Sequence, residues 1–423
     1  MTMQVLLLGA DGFIGRHIAF YLRASGVQVV CVARNTVALD RMGFEVLQAD
    51  LTNTEIDWAQ ALQGCDAIIN AAGMLNGTAK QMQAVHVESP ANIYHAAQAA
   101  GVAKIVLISA VGVEADTPFG RTKMDGEQAV QQANIPYVIL RPSMVLAETS
   151  YGGSSLMRAL AALPFMTPTI GDGGQKFDPI HADDLANVVF QCLESNQLDG
   201  KTIEPCGPEQ ISQLEMIRAT RAWLGRSTTK HVALPMSLAH AVGWLGDRLK
   251  LGPISTTAVA QLEQGVSTDY AQFHGQTGQT PRGFSEIIGR PAGTQDLWHA
   301  RLYLLRPLVR FGLMFMWLIS GLVGLFLPTA QFANGLAPLG LSDANLTILA
   351  RTAGVMDLGF ALGLLLAWKL CKLAMLQLLA VGGYTIAFGL LVPDLWLEPY
   401  GGLLKNIPVL VLILIHRVLE EER

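Results

Sequence analysis

The short, largely apolar run Gln4-Val5-Leu6-Leu7-Leu8 ends at three glycines spaced three apart, in Gly9-Ala10-Asp11-Gly12-Phe13-Ile14-Gly15. The run is apolar on both faces, as a central parallel strand requires. From Phe13 to Ala24 the residues read as a helix. A strand, a glycine turn and a helix in this order leave little freedom. Gly9 permits the tight turn, Gly12 lets the backbone approach a ligand, and Gly15 lets the helix pack closely on the strand.

The stretch that follows, as far as Leu140, repeats the alternation. Val27–Val32, Phe44–Gln48, Ala67–Asn70, Lys104–Ser109 and Tyr137–Leu140 read as further strands. Ser89–Ala100 and a segment including Gly126–Ala133 read as helices. Regular alternation predicts an α/β fold, a Rossmann-type doubly wound parallel sheet. From Ala147 to about Ala300 the pattern loosens into a small substrate lobe, with amphipathic helices at Leu214–Leu224 and Met236–Leu249. In such a fold the first glycine turn holds a pyrophosphate, helped by the free N–H groups and positive end of the following helix. The site is therefore a dinucleotide site. An NAD site carries Asp or Glu at the end of the second strand to hold the ribose 2′-hydroxyl. This chain has Arg34 there, with Arg16 at the start of the first helix. A guanidinium suits a 2′-phosphate, so the expected cofactor is NADP(H) rather than NAD(H).

Composition shows that this is not the whole chain. Hydrophobic residues make up 51% and charged residues only 15% of 423, against about 25% charged in an ordinary soluble protein. The deficit lies in the last hundred or so residues. Four apolar stretches run Phe311–Leu327, Thr352–Trp368, Leu373–Val392 and Ile407–Ile415, the last extended by Leu403-Leu404 and Val418-Leu419. A spanning helix needs about 20 apolar residues. The expectation is an all-α, four-span transmembrane domain over 305–423, behind a 1–300 dinucleotide-binding domain. Arg301, Arg306 and Arg310 precede the first span, Lys369 and Lys372 separate the second from the third, and Arg417 and Arg423 follow the fourth. Pro328–Leu346 has no Lys or Arg, and Pro393–Asn406 has only Lys405. The positive-inside rule then predicts both termini on the cytoplasmic side of a multi-pass inner-membrane protein. Met3–Leu8 already reads as a strand, so no cleavable leader is expected there. Trp368 and Trp396 suit the membrane interfaces. Asp357 lies inside the second span, where a charge is costly; it is either a proton or substrate contact or, the favoured reading, a residue near the interface hydrogen-bonded to a neighbouring helix, with Gln377 and Tyr384 as candidate partners. Gly359 and Gly363 form a GxxxG pair, and Gly382-Gly383 also allow close helix approach.

Several motifs resemble those of the atypical or extended short-chain dehydrogenase/reductases. Asp50-Leu51 resembles the pair that caps the adenine, and Asn70-Ala71-Ala72-Gly73 the strand end beside the cofactor. Leu107-Ile108-Ser109-Ala110 resembles the strand bearing the catalytic Ser. Arg141-Pro142-Ser143 resembles the segment near the nicotinamide, and Pro179–Ala186 the motif joining the two lobes. The resemblance covers about Met1 to Ile288 and is strongest to the branch of the complex I Rossmann accessory subunit. The C-terminal region resembles a DoxX-type membrane domain. The resemblance implies cofactor contacts from Gly9, Asp11, Gly12, Phe13, Ile14, Gly15, Arg34, Asp50, Leu51, Ala71, Ala72, Gly73, Ser109, Lys123, Pro142 and Ser143. It implies catalysis by a Ser and a Tyr-x-x-x-Lys, in which the Tyr exchanges the substrate proton. The aligned segment here is Phe119-Gly120-Arg121-Thr122-Lys123. Ser109 and Lys123 remain as catalytic candidates, and Phe119 has no hydroxyl.

Two functions follow from that gap. One is an oxidoreductase with an unusual proton source, Ser109, Asp116, Thr117 or a bound water (Tyr151 lies too far along the chain to be placed). Its small-molecule substrate is then lipophilic, such as a quinone. The other is an NADP(H)-binding structural, assembly or sensing protein without turnover, with a membrane-protein partner or a second copy of itself. Both place the chain against membrane lipid. With no block of Lys and Arg and a net charge of −5, the chain lacks the footprint of nucleic-acid binding. The five cysteines, Cys31, Cys65, Cys192, Cys206 and Cys371, are scattered and form no CxxC pair, which fits a reducing compartment. His181 with Asp183-Asp184 has no third ligand in sight, so no metal site is expected. His17, His86 and His95 are isolated in sequence.

Overall fold

A computed structural model describes residues 2–52, 56–75, 77–331, 333–398 and 402–421. The chain divides into two units, Met1–Ala300 and Arg301–Arg423.

The first unit is organised by seven parallel strands: β1 Gln4–Leu8, β2 Gln28–Ala33, β3 Glu45–Gln48, β4 Ala67–Asn70, β5 Lys104–Ile108, β6 Tyr137–Leu140 and β7 Thr202–Ile203. Their order is β7-β6-β5-β4-β1-β2-β3. The order reverses between β1 and β4, which is where a doubly wound sheet binds its ligand. The expected strands all form, with ends displaced by one residue at β2, β3 and β5. The two-residue β7 was not anticipated, because so short an element carries no periodicity.

Alternation along β1 feeds two cores. Val5 and Leu7 join Ile18 and Leu22 of α1 (Phe13–Ala24) and Leu185 and Val189 of a later helix, Ala182–Glu194. Leu6 and Leu8 join Ile93, Tyr94 and Ala97 of α2 (Ser89–Ala100) and Val130 of α3 (Pro118–Gln131). Each fully buried aliphatic side chain of this kind contributes about 1.5–3 kcal/mol. The helix Ala182–Glu194, α4, and β7 return to the sheet from inside the expected substrate lobe. The lobe is thus made of the stretches on either side of them. Its centre is a parallel pair, Met166–Ile170 with Lys230–Leu234, beside α5 (Gln213–Trp223), α6 (Met236–Leu249) and α7 (Thr256–Gln264). The two amphipathic helices expected there, α5 and α6, both form. A Ser212–Glu215 capping box starts α5, satisfying two otherwise orphaned donors.

In the second unit, α8 (Thr294–Phe326, beginning in the first unit), α9 (Asp343–Leu365) and α10 (Leu370–Leu391) are long and apolar enough to cross a membrane. The fourth expected span is α11, Asn406–Glu420, of only 15 residues, entered through a turn of 3-10 helix at Leu403–Lys405. At 1.5 Å per residue it covers about 22 Å of a hydrocarbon core of about 30 Å. Arg423 of the charge count lies outside the described residues. The helices alternate in direction. Arg310 Nε, midway along α8, donates to the carbonyl of Leu364 at the end of α9 (2.8 Å), while Arg351 in the first half of α9 donates to the Gly324 carbonyl near the end of α8 (2.7 Å). Asn406 donates to Thr385 (2.8 Å) while Arg417, further on, meets Met375, so α11 runs antiparallel to α10.

Two expectations in this bundle are corrected. The close backbone approach is not at Gly359 or Gly382-Gly383, where an added Cβ would meet nothing. It lies at Gly321 and Gly324 of α8 against Gly354 of α9: a Cβ on Gly354 would stand 2.9 Å from the Gly321 carbonyl. Gly363 faces the Leu373 side chain instead. Asp357 accepts a hydrogen bond from Ser320 Oγ of α8 (2.6 Å), not from Gln377 or Tyr384. Trp317 is buried against Phe360 (4.9 Å between ring centres), while Trp368 is exposed.

Candidate functional site

The glycine turn lies at the C-terminal end of β1, at the reversal of strand order. Gly9 has φ +75°, and a Cβ there would lie 2.8 Å from the Ala72 backbone and 2.9 Å from Ala71. Gly15 faces the Gly9 carbonyl so closely that a Cβ would overlap it. Glycine is thus required at both positions by contact, and at Gly9 by conformation as well. Gly12 is the N-cap of α1; its N–H closes the turn on the Gly9 carbonyl (3.0 Å). No side chain caps this helix and no acidic residue stands in its first turn. The N–H groups of Phe13, Ile14 and Gly15 therefore remain for an anion, in a positive field. Asp11 is half-buried on the turn. These features fit a dinucleotide pyrophosphate.

Around the turn the expected cofactor residues gather in part. Ala71 and Ala72 lie against Gly9, as the Cβ test shows. Gly73 lies against Lys123, whose Nζ would be 3.3 Å from an added Cβ. Arg34 and Asp50 are both exposed at adjacent strand ends, and Leu51 is buried beneath them. Asp50 accepts from the Thr52 N–H (2.9 Å) and hydroxyl (2.8 Å). Those two bonds, and then the Arg34 charge, hold its carboxyl below the usual range. Arg34 is thus the exposed cation at the tip of β2.

The catalytic segment sits on α3. Thr117 caps the helix by accepting from the Gly120 N–H (3.0 Å). Phe119 is buried, edge-on to the His86 ring (5.8 Å). Lys123 is buried and donates one hydrogen bond, to the Ile108 carbonyl (3.0 Å). Burial lowers its pKa to about 8, against the pull of Glu127. An ammonium carries three donors, which leaves Lys123 able to hold ribose hydroxyls. Ser109 faces the underside of α3, where its hydroxyl donates to Glu127 (2.5 Å). Arg141 grips the same carboxylate through Nε (2.9 Å) and Nη2 (2.7 Å), and Glu127 raises the Arg141 pKa further. The Ser143 hydroxyl is also committed, to the Asp178 carbonyl (2.6 Å), and Pro142 is buried before it.

Three residues gain a place that sequence reasoning withheld. Glu127, one helical turn beyond Lys123, ties Ser109 to Arg141; the i, i+4 spacing was the available signal. His86 sits in a π-helical turn, Ala84–Glu88. Its Nε2 accepts from the Met74 N–H (3.0 Å) and its Nδ1 pairs with the Thr122 hydroxyl (2.8 Å). Burial, then the Lys123 charge, pushes its pKa down to about 3, so it is neutral. Tyr151 stacks on Phe13 at the turn (6.5 Å), a contact across 138 residues of chain that no local pattern announces. Of the candidate proton sources, Asp116 is paired with Arg121.

At the lobe junction His181 caps α4. Arg282 holds Asp184 and His181, and His17 pairs with Asp183 (2.6 Å). These contacts account for the late motif as a structural joint. No group of three potential ligands gathers among the described residues. A small hollow is lined by Leu146, Ala147, Met157, Trp223, Ile287 and Ile288 together with the polar side chains of Glu148, Arg158, Thr220 and Arg290.

Residues 9–196 match a family model described as NAD(P)H-binding, and residues 314–414 match a DoxX-like family. The photosystem II assembly factor Ycf39 of Trieres chinensis is 31% identical over 230 residues, 53% of this chain and 70% of that protein. The divinyl chlorophyllide a 8-vinyl-reductase of Oryza sativa subsp. indica is 27% identical over 266 residues, 58% of this chain and 64% of that protein. Two solved structures share the fold. MoeE5 in complex with UDP-glucose and NAD has a TM-score of 0.54 at 21% identity, covering 71% of this chain and 99% of that one. The NADPH-dependent quinone oxidoreductase QOR2 of Escherichia coli, complexed with NADPH, has a TM-score of 0.54 at 21% identity, covering 67% of this chain and 98% of that one. The chain belongs to the NAD(P)H-binding, epimerase-like short-chain dehydrogenase/reductase family, and it joins that Rossmann domain to a membrane-associated DoxX-like domain.

Proposed function

We propose that this protein is an NADP(H)-dependent oxidoreductase, fixed at the cytoplasmic face of a membrane, that acts on a lipophilic acceptor such as a quinone. When bound, the nicotinamide supplies the reducing equivalent. The chain's own residues bind and orient it. The glycine turn and the start of α1 take the pyrophosphate, Arg34 the 2′-phosphate, and Lys123 the nicotinamide ribose. The observation that carries the reading is Lys123, buried beside Gly73 with one hydrogen bond made and donors to spare. Phe119 removes the usual proton donor, and His86 and Ser109 are already engaged. General acid–base catalysis contributes about 10²- to 10⁴-fold, so the acceptor must be one that takes its proton from water. A reduced quinone does so.

A second reading is a cofactor-holding protein without turnover, working as an assembly or sensing factor beside a membrane-protein partner or a second copy. Phe119 and the committed hydroxyls favour it, and so does the assembly role in the name of the Trieres relative. One experiment separates the two. The full chain in detergent receives NADPH and a panel of quinones while nicotinamide absorbance is followed. Oxidation abolished by Gly12→Asp supports the oxidoreductase. Tight NADPH binding with no oxidation by any acceptor sinks it and supports the second reading.

A further inference from the structure

Helix α6, Met236–Leu249, turns the usual amphipathic arrangement inside out. Its buried stripe is made of small residues, Ala239, Gly243 and Gly246. A Cβ on Gly243 would lie 3.0 Å from the Ser255 backbone, and one on Gly246 would overlap the Ile254 carbonyl. The helix therefore lies directly on the backbone leading into α7. Its large apolar residues face outward: Leu238 is 46%, Val242 45%, Trp244 55% and Leu245 46% exposed. Leu238, Val242 and Leu245 stand at i, i+4 and i+7, one continuous stripe.

The charges around the stripe are sorted. Asp247 is turned back to α7, accepting from the Thr256 hydroxyl (2.6 Å). His240 faces Glu263 of α7 (3.3 Å). Arg248 lies over the Trp244 ring (4.9 Å), and Lys250 follows as an exposed C-cap. The outward surface is thus aliphatic, with one indole and a cationic rim. This composition marks helices that lie in a bilayer interface, where Trp sits at headgroup depth and cations meet lipid phosphate. A bilayer is also the partner this chain cannot leave. The same polypeptide carries three helices long and apolar enough to cross a membrane, so lipid is present at a high effective concentration.

We propose that α6 is an interfacial helix, seating Leu238, Val242, Trp244 and Leu245 among the headgroups and upper acyl chains of an anionic bilayer, with Arg248 on lipid phosphate. The test uses the full chain in nanodiscs containing phosphatidylglycerol. Cys371→Ser removes the thiol that is not buried. A nitroxide is placed at Val242→Cys or Leu245→Cys, and at Gln98→Cys on the exposed side of α2 as a reference. Collisions with oxygen, which concentrates in lipid, are compared with collisions with a water-soluble nickel chelate. The oxygen-to-nickel ratio is expected to be several-fold higher at 242 and 245 than at 98. A ratio equal to that at 98 overturns the proposal. So does shielding from both reagents, which would mean that protein covers the stripe.

Discussion

The proposed preference for NADP(H) rests on one side chain, Arg34. It is exposed at the tip of β2, next to an Asp50 whose carboxyl is already satisfied by Thr52. An arginine held this way forms charge-assisted bonds to a phosphate, worth about 1.5–3 kcal/mol. Arg34→Asp is therefore expected to weaken NADPH by about 10- to 100-fold and to leave NADH nearly unchanged, in titrations of the detergent-purified chain. Equal weakening of both cofactors would remove the case for NADP(H). Arg34 was legible because a strand end is a fixed place in a fixed motif. Ser109 was only half legible. Its strand parity, shared with Ile105 and Leu107, pointed it at the α3 side. Nothing in the sequence said that Glu127 and Arg141 would be waiting there.

At the scale of elements, the π-turn Ala84–Glu88 seats His86 between the Met74 loop and α3. The residue that looked isolated is the strut under Phe119. Its neutrality has a consequence for stability. Folding lowers its pKa from the ordinary 6.5 to about 3, chiefly by burial. Between those values the unfolded chain binds a proton that the folded chain refuses. The contribution of His86 is therefore complete above pH 6.5 and is lost as pH falls toward 3, at about 1.4 kcal/mol per pH unit. Melting of the NAD(P)H-binding unit, followed in the full chain, is expected to shift downward between pH 7 and pH 4.5. His86→Gln should be less stable at pH 7 and should show a flatter dependence. An unchanged slope in the variant would assign the acid sensitivity to other groups. Elements of this kind escape a linear reading, since π-turns have no compositional signal of their own. Within the chain the glycine pair Gly359 and Gly363 makes no close backbone contact, for a related reason: spacing identifies a helix face, but not the neighbour it meets. Gly321, Gly324 and Gly354, which make the contact, sit on two different helices.

For the whole molecule, the open quantity is the number of membrane crossings, because α11 is short. Charge and geometry within the second unit argue for an even number. Arg306, near the start of the second unit, donates to Glu420 at the end of α11 (2.7 Å), so both ends of the unit lie at one end of the bundle. The basic residues Arg301, Arg306, Arg310, Lys369, Lys372 and Arg417 also fall at that end, whereas Pro328–Leu346 carries none. The fifteen residues of α11 must then be accommodated by thinning of the bilayer or by its flanks, each at a modest cost. The prediction is made on intact cells with a membrane-impermeant thiol reagent, in the Cys371→Ser background. Ala337→Cys, in the turn between α8 and α9, should react from outside. Gln98→Cys and Glu421→Cys should react only after the membrane is opened. Reaction of Glu421→Cys from outside together with Ala337→Cys would leave three crossings and make α11 a surface helix. In that case Arg417 would break the charge rule, and its end of the bundle could not also be the end that holds Arg306. The ion pair and the charge rule therefore stand or fall on the same labelling pattern.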